Sequence, residues 1–294
     1  MKKIFLTIAA IAALASCQKG EMPDDATPKE IDFRFELPAT KATATAFESG
    51  DTISLYAVEY TSEEAPELQL GDNFLNNERL IFNGSSWGGT RKVYWSNKPC
   101  DFYAMYPAQS LTSVENHYFD IATDQNSTIE GSTLTGYEAS DILFAKAEKV
   151  SRPDNNALAM TFSHLMSKCI VTITKGEKFE GEIPDDITTH IYSTCTSAIL
   201  NLSKGSVEKD AQGNRKTITM KKISNTQFEA IVVPQYIERR TPLIEVTMGG
   251  IAYLLEYSLS FKPGVVHTIN LIVNTSPDQE NLEISIDPSI EDMQ

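Results

Sequence analysis

The sequence predicts an all-β protein built from two tandem β-sandwiches. Three observations support that class. Short runs of apolar residues alternate with polar ones at a period of two, the spacing expected when one strand face is buried and the other is wet. Turn pairs such as Asn83-Gly84, Gly88-Gly89 and Gly249-Gly250 punctuate those runs. Beyond the first 16 residues, no segment of comparable length carries the spacing of an amphipathic helix. At 294 residues, the chain has room for two domains of roughly 100–200 residues each.

The N-terminus comes first. Lys2 and Lys3 precede an apolar run from Ile4 to Ala15, which closes on Leu14-Ala15-Ser16-Cys17. That run is shorter than the roughly 20 residues of a bilayer span, so residues 1–16 read as a signal peptide. The small residues ahead of Cys17 form a lipobox, which puts a diacylglycerol thioether on the Cys17 sulfur; several acyl chains together make a durable anchor. An ordinary secretory signal ahead of a free cysteine is the alternative, and either one exports the chain. Residues 17–30 hold Pro23, Pro28 and few apolar side chains, so they read as a flexible tether. Glu21, Asp24 and Asp25 are similar to signals that send some lipoproteins to the outer face, which implies a lipid-anchored location at the outer membrane, exposed at the surface.

The first domain is expected over residues 31–155. It opens on a clear strand, with Ile31, Phe33, Phe35 and Leu37 on one face and Asp32, Arg34 and Glu36 on the other. Further strands are expected at Thr52 to Tyr60, Arg79 to Phe82, Lys92 to Trp95, Cys100 to Tyr106 and Ile142 to Ala147, all rich in aromatic and branched residues. The polar stretch from Lys149 to Asn156 separates the halves.

The second domain is expected over residues 156–294. Its strands read as Lys168 to Thr174, Ile191 to Leu202, Lys216 to Met220, Gln227 to Val233, Leu243 to Met248, Ile251 to Phe261 and His267 to Val273. Met248-Gly249-Gly250-Ile251 is a hairpin signal, because paired glycines accept the positive φ of a tight turn. The tail, residues 281–287, repeats the alternation of the first strand, with Leu282, Ile284 and Ile286 on one face. One groove would accept either segment, which makes 281–287 a candidate donor strand; a final strand that completes its own sandwich is the alternative.

The chemistry-bearing residues point away from catalysis. A net charge of −15 argues against nucleic acid or anionic lipid headgroups as partners. Cys100, Cys169 and Cys195 form no C-x-x-C, and Cys169 with Cys195 is the better pair for a bridge, buried thiols being the alternative. His117, His164, His190 and His267 are scattered without metal-ligand spacing, and His164 reads as a packing residue. Gly84-Ser85-Ser86-Trp87-Gly88 fits G-x-S-x-G, but a strand follows where the nucleophile elbow needs a helix, so a hairpin loop accounts for it. No phosphate, dinucleotide or calcium-loop pattern appears, so no cofactor is expected.

The order of segments resembles fimbrillin-like proteins, the subunits of type V pili. The resemblance rests on the lipobox, on Thr40-Lys41-Ala42-Thr43 and on Phe47-x-x-Gly50-Asp51-x-Ile53-x-Leu55-Tyr56. It continues through Val93-Tyr94-Trp95, Phe102 to Pro107, Asp141 to Ala145 and Met160 to Lys168, and ends on Val232 to Gln235 and Phe261 to Leu271. It implies two transthyretin-like sandwiches, lipoprotein export and assembly by strand exchange. In that scheme a protease cuts near the first strand, here at Lys41 where the family often has arginine. The strand holding Ile31, Phe33, Phe35 and Leu37 leaves, and a neighbour's terminal segment replaces it. The partners implied are other pilin subunits, the outer membrane through the lipid, and a host surface ligand. The alternative function is a surface lipoprotein that binds host protein or glycan without polymerising, with Trp87 or Trp95 as a sugar platform if exposed; Trp95, closing an apolar run, reads as core.

Overall fold

A computed structural model of the chain describes residues 27–37, 46–64, 66–274 and 284–292. The signal peptide, Cys17 and most of the tether lie outside the described residues, as do Lys41 and Leu282.

The N-terminal half runs through β1 (Asp32–Glu36), β2 (Thr52–Glu59), β3 (Leu75–Phe82), β4 (Trp87–Gly88), β5 (Cys100–Tyr106) and β6 (His117–Asp120), then a short helix α1 (Gly136–Ser140). Next come β7 (Leu143–Val150), β8 (Ala157–Thr161) and β9 (Ser163–His164). A six-stranded antiparallel sheet is ordered β4-β3-β2-β5-β7-β9, and β1 pairs in parallel with β8 outside it. Central strands β2 and β5 are buried on both faces. One face packs with β1 and β8 around Phe33, Phe35, Leu80, Phe102 and Phe162. The other, through Tyr56, Tyr103, Met105 and Phe144, belongs to the core of the C-terminal half.

That half comprises β10 (Ser167–Lys175), β11 (Thr188–Cys195), β12 (Ser197–Asn201), β13 (Ser206–Lys209), β14 (Arg215–Thr219), β15 (Lys221–Lys222) and β16 (Gln227–Val232). It continues with β17 (Gln235–Ile237), β18 (Pro242–Met248), β19 (Ile251–Glu256), β20 (Leu259–Phe261), β21 (Val265–Val273) and β22 (Ile284–Asp292). Two main sheets, β15-β16-β10-β21-β22 and β14-β11-β18-β19, enclose the core, and β13-β12-β6 ties the halves together.

Several expectations need correction. Lys92 to Trp95 is not a strand: only Tyr94 bridges, to Glu30, and the segment braces the chain ahead of β1. The run expected from Ile191 to Leu202 is two strands in different sheets, β11 and β12, parted at Thr196; a register shift between Ile191 and Thr194, with Ser193 at φ 61°, lies within β11. Ile251 to Phe261 likewise divides into β19 and β20. In the stretch from Lys149 to Asn156, the first two residues end β7 and the rest leads into a turn closed by Asn156 N–H donating to Pro153 O (2.9 Å). The strands after it, β8 and β9, pair with β1 and β7, although they follow residue 155. Cys100, Cys169 and Cys195 are free and buried, so the Cys169–Cys195 bridge is not formed. They stand on separate sheets, and burial pushes the Cys169 thiol up to about 12. The Met248–Ile251 hairpin is as expected, with Gly249 and Gly250 at φ 58° and 76°. The G-x-S-x-G stretch carries the hairpin turn out of β3 and then β4 itself, and in the turn Asn83 Oδ1 accepts from the Ser85 and Ser86 N–H groups, both at 2.9 Å.

A buried polar network spans the junction. Lys168 on β10 is 0% exposed, with Nζ 2.6 Å from Glu229 Oε2 on β16. Tyr137 of α1 donates its hydroxyl to the same oxygen at 3.0 Å. Lys221 Nζ sits 5.0 Å from the Tyr137 ring centre and 3.5 Å from Glu138. Buried Gln125 acts as a surrogate strand: its Nε2 donates to Ile231 O (2.8 Å) and its Oε1 accepts from Ile231 N–H (2.7 Å). His164, buried as expected, pairs through Nδ1 with Asp141 at 2.9 Å. Burial pulls the Lys168 pKa down against the opposing pull of Glu229, and pushes Tyr137 well above the phenol range.

His267 on β21 gives the fold a dependence on pH. It is 1% exposed, its Nε2 accepts the Lys262 N–H at 3.3 Å, and its ring meets Phe261 edge-on at 5.3 Å. Burial, with Lys262 nearby, pulls its pKa down to about 4, against an ordinary histidine value of 6.5. The native state therefore resists a proton that the unfolded chain accepts. Stability is full above the unfolded pKa and drains as pH falls toward about 4, by about 3 kcal/mol at ~1.4 kcal/mol per unit. Urea midpoints at pH 7 and pH 4 should differ less in His267→Leu than in the wild type; equal differences would refute the assignment.

Candidate functional site

Alternation places Phe33 and Phe35 inward on β1 and Ile31 inward just ahead of it, all buried, while Asp32, Arg34 and Glu36 face solvent. Phe35 meets Trp87 edge-on at 5.3 Å and Phe162 at 5.9 Å, and stacks with Phe33 at 6.0 Å. Phe47 completes the seat, 4.8 Å from Trp87 and 5.8 Å from Phe162. Leu37 is partly buried against the same cluster. Trp87 and Trp95 are both buried, so neither offers a sugar platform.

Main-chain bonds hold β1 along one side. Its Cα partners on β8 run from Asp32 with Ala157 to Glu36 with Thr161. Asp32 N–H donates to Asn156 O and Phe162 N–H to Glu36 O, both at 2.9 Å. On the other side only the start is braced: Ile31 N–H donates to Val93 O and Trp95 N–H to Lys29 O, at 2.9 Å each. Among the described residues no strand pairs with that edge beyond the Glu30–Tyr94 bridge. Exposed pairs add little: Lys92 with Glu30 at 2.6 Å and Arg34 with Asp32 at 2.8 Å. β1 is thus an apolar plug with one seam.

At the other terminus, Ile284 and Ile286 lie in β22, antiparallel to β21 from Ile284 opposite Val273 to Asp292 opposite Val265. β22 forms the edge of its sheet. Pro288 stands opposite Ile269, and proline, having no N–H, is tolerated at an edge. The two candidate segments are not brought together: β1 seats on the N-terminal half, and β22 on the C-terminal one.

Sequence reading missed most of the seat. Leu158 and Met160 alternate and mark β8, but the run is short and contains two alanines. Phe162 and Trp87 carried no signal of their role, because a parallel partner far along the chain leaves no local trace.

Residues 40–292 match a family model described as fimbrillin-like. The chain belongs to the fimbrillin-like family. Residues 1–18 match the prokaryotic membrane lipoprotein lipid attachment site, so this fimbrillin-like chain is a lipoprotein with a membrane-anchored surface or fimbrial location. Among solved structures it is similar to a Bacteroides uniformis protein assigned provisionally to cell adhesion, at 19% identity over 91% of this chain and 99% of that one, TM-score 0.66. A Bacteroides ovatus protein of the same description aligns at 17% identity over 90% and 98%, TM-score 0.66. A fimbrial protein from Bacteroides ovatus aligns at 16% identity over 86% of this chain and 51% of that one, TM-score 0.52. These likenesses agree with the all-β fold. No curated protein matches the sequence.

Proposed function

We propose that this fimbrillin-like chain is a non-catalytic subunit of a surface fimbrium, anchored through Cys17 until assembly and polymerised by strand exchange, with a role in cell adhesion. Cleavage at Lys41 frees the segment carrying Ile31, Phe33, Phe35 and Leu37, and the tail segment 281–287 of a neighbour, with Leu282, Ile284 and Ile286, replaces it against β8. The observation that carries this reading is the single-sided pairing of β1 over an aromatic seat: losing β1 would bare an edge and an apolar trough, a template for another strand. Uncleaved, the tethered β1 outcompetes any donor by effective concentration.

The second reading is a surface lipoprotein that binds a host protein or glycan and stays monomeric. Pairing of β22 in its own sheet over the whole of its length favours it, since a donor tail must first leave that place.

One experiment separates them. Mature chain nicked near Lys41 should form SDS-resistant ladders, which vanish when residues 281–294 are deleted or Ile284 is changed to Asp. A folded, nicked protein that stays monomeric with its tail intact would shift the function to the second reading.

A further inference from the structure

We propose that the cavity between Arg79, Asp51 and the Ser132–Leu134 loop binds an acidic sugar ring of the hexuronate type, its carboxylate on Arg79 and a ring hydroxyl on Asp51. The proposal is independent of strand exchange, because one copy of the chain builds the whole cavity.

The cavity has a volume of about 300 Å3, and Tyr106 and Pro107 form part of its wall. Ligand pockets span ~300–1,000 Å3, so this one suits a single ring rather than a chain. Arg79 on β3 is half-buried, and its Nη2 donates to Ser110 Oγ at 3.1 Å. Among the described residues no carboxylate forms an ion pair with it, in a chain with 40 acids and 25 bases. Burial already weighs against its charge. A ligand carboxylate would supply the forked, charge-assisted partner that the protein withholds.

Asp51 lines the same cavity but is committed elsewhere. Its Oδ2 accepts the Glu48 N–H at 2.7 Å and its Oδ1 accepts the Tyr106 hydroxyl at 2.9 Å. A carboxylate has about four acceptor sites, so two remain for donors. The cavity is therefore lined by a cation and an acceptor that form no ion pair with each other, together with exposed Ser132 and Thr133. A neutral sugar leaves Arg79 unmatched, and a simple carboxylate leaves Asp51 unmatched. A sugar acid matches both.

The test titrates galacturonate, galactose and acetate into the mature monomer, followed by ligand-observed NMR. Galacturonate should bind at least tenfold more tightly than either of the others, and Arg79→Gln should weaken it at least tenfold with an unchanged unfolding midpoint. Thr133→Tyr, on an exposed loop, should close the mouth and also abolish binding, which keeps the test valid if Arg79→Gln folds poorly. Galacturonate binding no better than galactose or acetate, or binding that survives either folded variant, would overturn the site.

Discussion

Changing Glu229 to alanine should cost the folded chain about 3–5 kcal/mol, the range for removing one partner of a buried ion pair. The effect is large because Lys168 stays behind with 0% exposure, its Nζ having lost the oxygen 2.6 Å away, and because the Tyr137 hydroxyl loses its acceptor as well. Changing both, as Lys168→Met with Glu229→Leu, should recover most of the loss, since two apolar side chains of similar volume replace the pair without stranding a charge. The exposed Lys216–Asp120 pair, 3.7 Å apart, serves as the control, and its removal should cost less than about 1 kcal/mol. Urea unfolding of the mature chain measures all three. If Glu229→Ala and the control lose similar amounts, the junction network is not a buried pair in solution.

Phe35→Ala should be nearly as damaging, at about 3–5 kcal/mol for truncating a buried phenylalanine. Its ring fills the space between Trp87 and Phe162, whereas neighbouring Arg34 points to solvent and should tolerate alanine within about 0.5 kcal/mol. A second readout belongs to the nicked protein. There, Phe35→Ala should speed the loss of β1, followed as exchange with a labelled peptide covering residues 28–38. Unchanged exchange in Phe35→Ala would mean that main-chain pairing with β8, and not the aromatic seat, retains the strand.

Much of this architecture was legible in the sequence, for identifiable reasons. β1 could be read because its inward face is apolar and its outward face charged, so a period of two is unmistakable. The Met248–Ile251 hairpin was legible because two glycines at positive φ leave the backbone few alternatives. Strands buried on both faces were visible as apolar runs, but nothing in β2 or β5 announced that one face would pack against the other half. The stretch before residue 156 stands out because Arg152 to Asn156 is polar, the composition that a loop between two halves and a tight turn both need. The seat of β1 was largely illegible. It depends on β8, Trp87 and Phe162, which local periodicity cannot connect to Phe35, and the Lys168–Glu229 pair was hidden in the same way, since charged residues are ordinarily read as surface.

The pairing of β1 with β8 also fixes an order in time. Asp32 is made, and crosses the membrane, long before Ala157, its partner in the finished sheet. Closing so long a loop must await the strands between, so the first segment to emerge is among the last to settle. Until it does, β8 has no strand to pair with, because β1 is its only strand partner among the described residues.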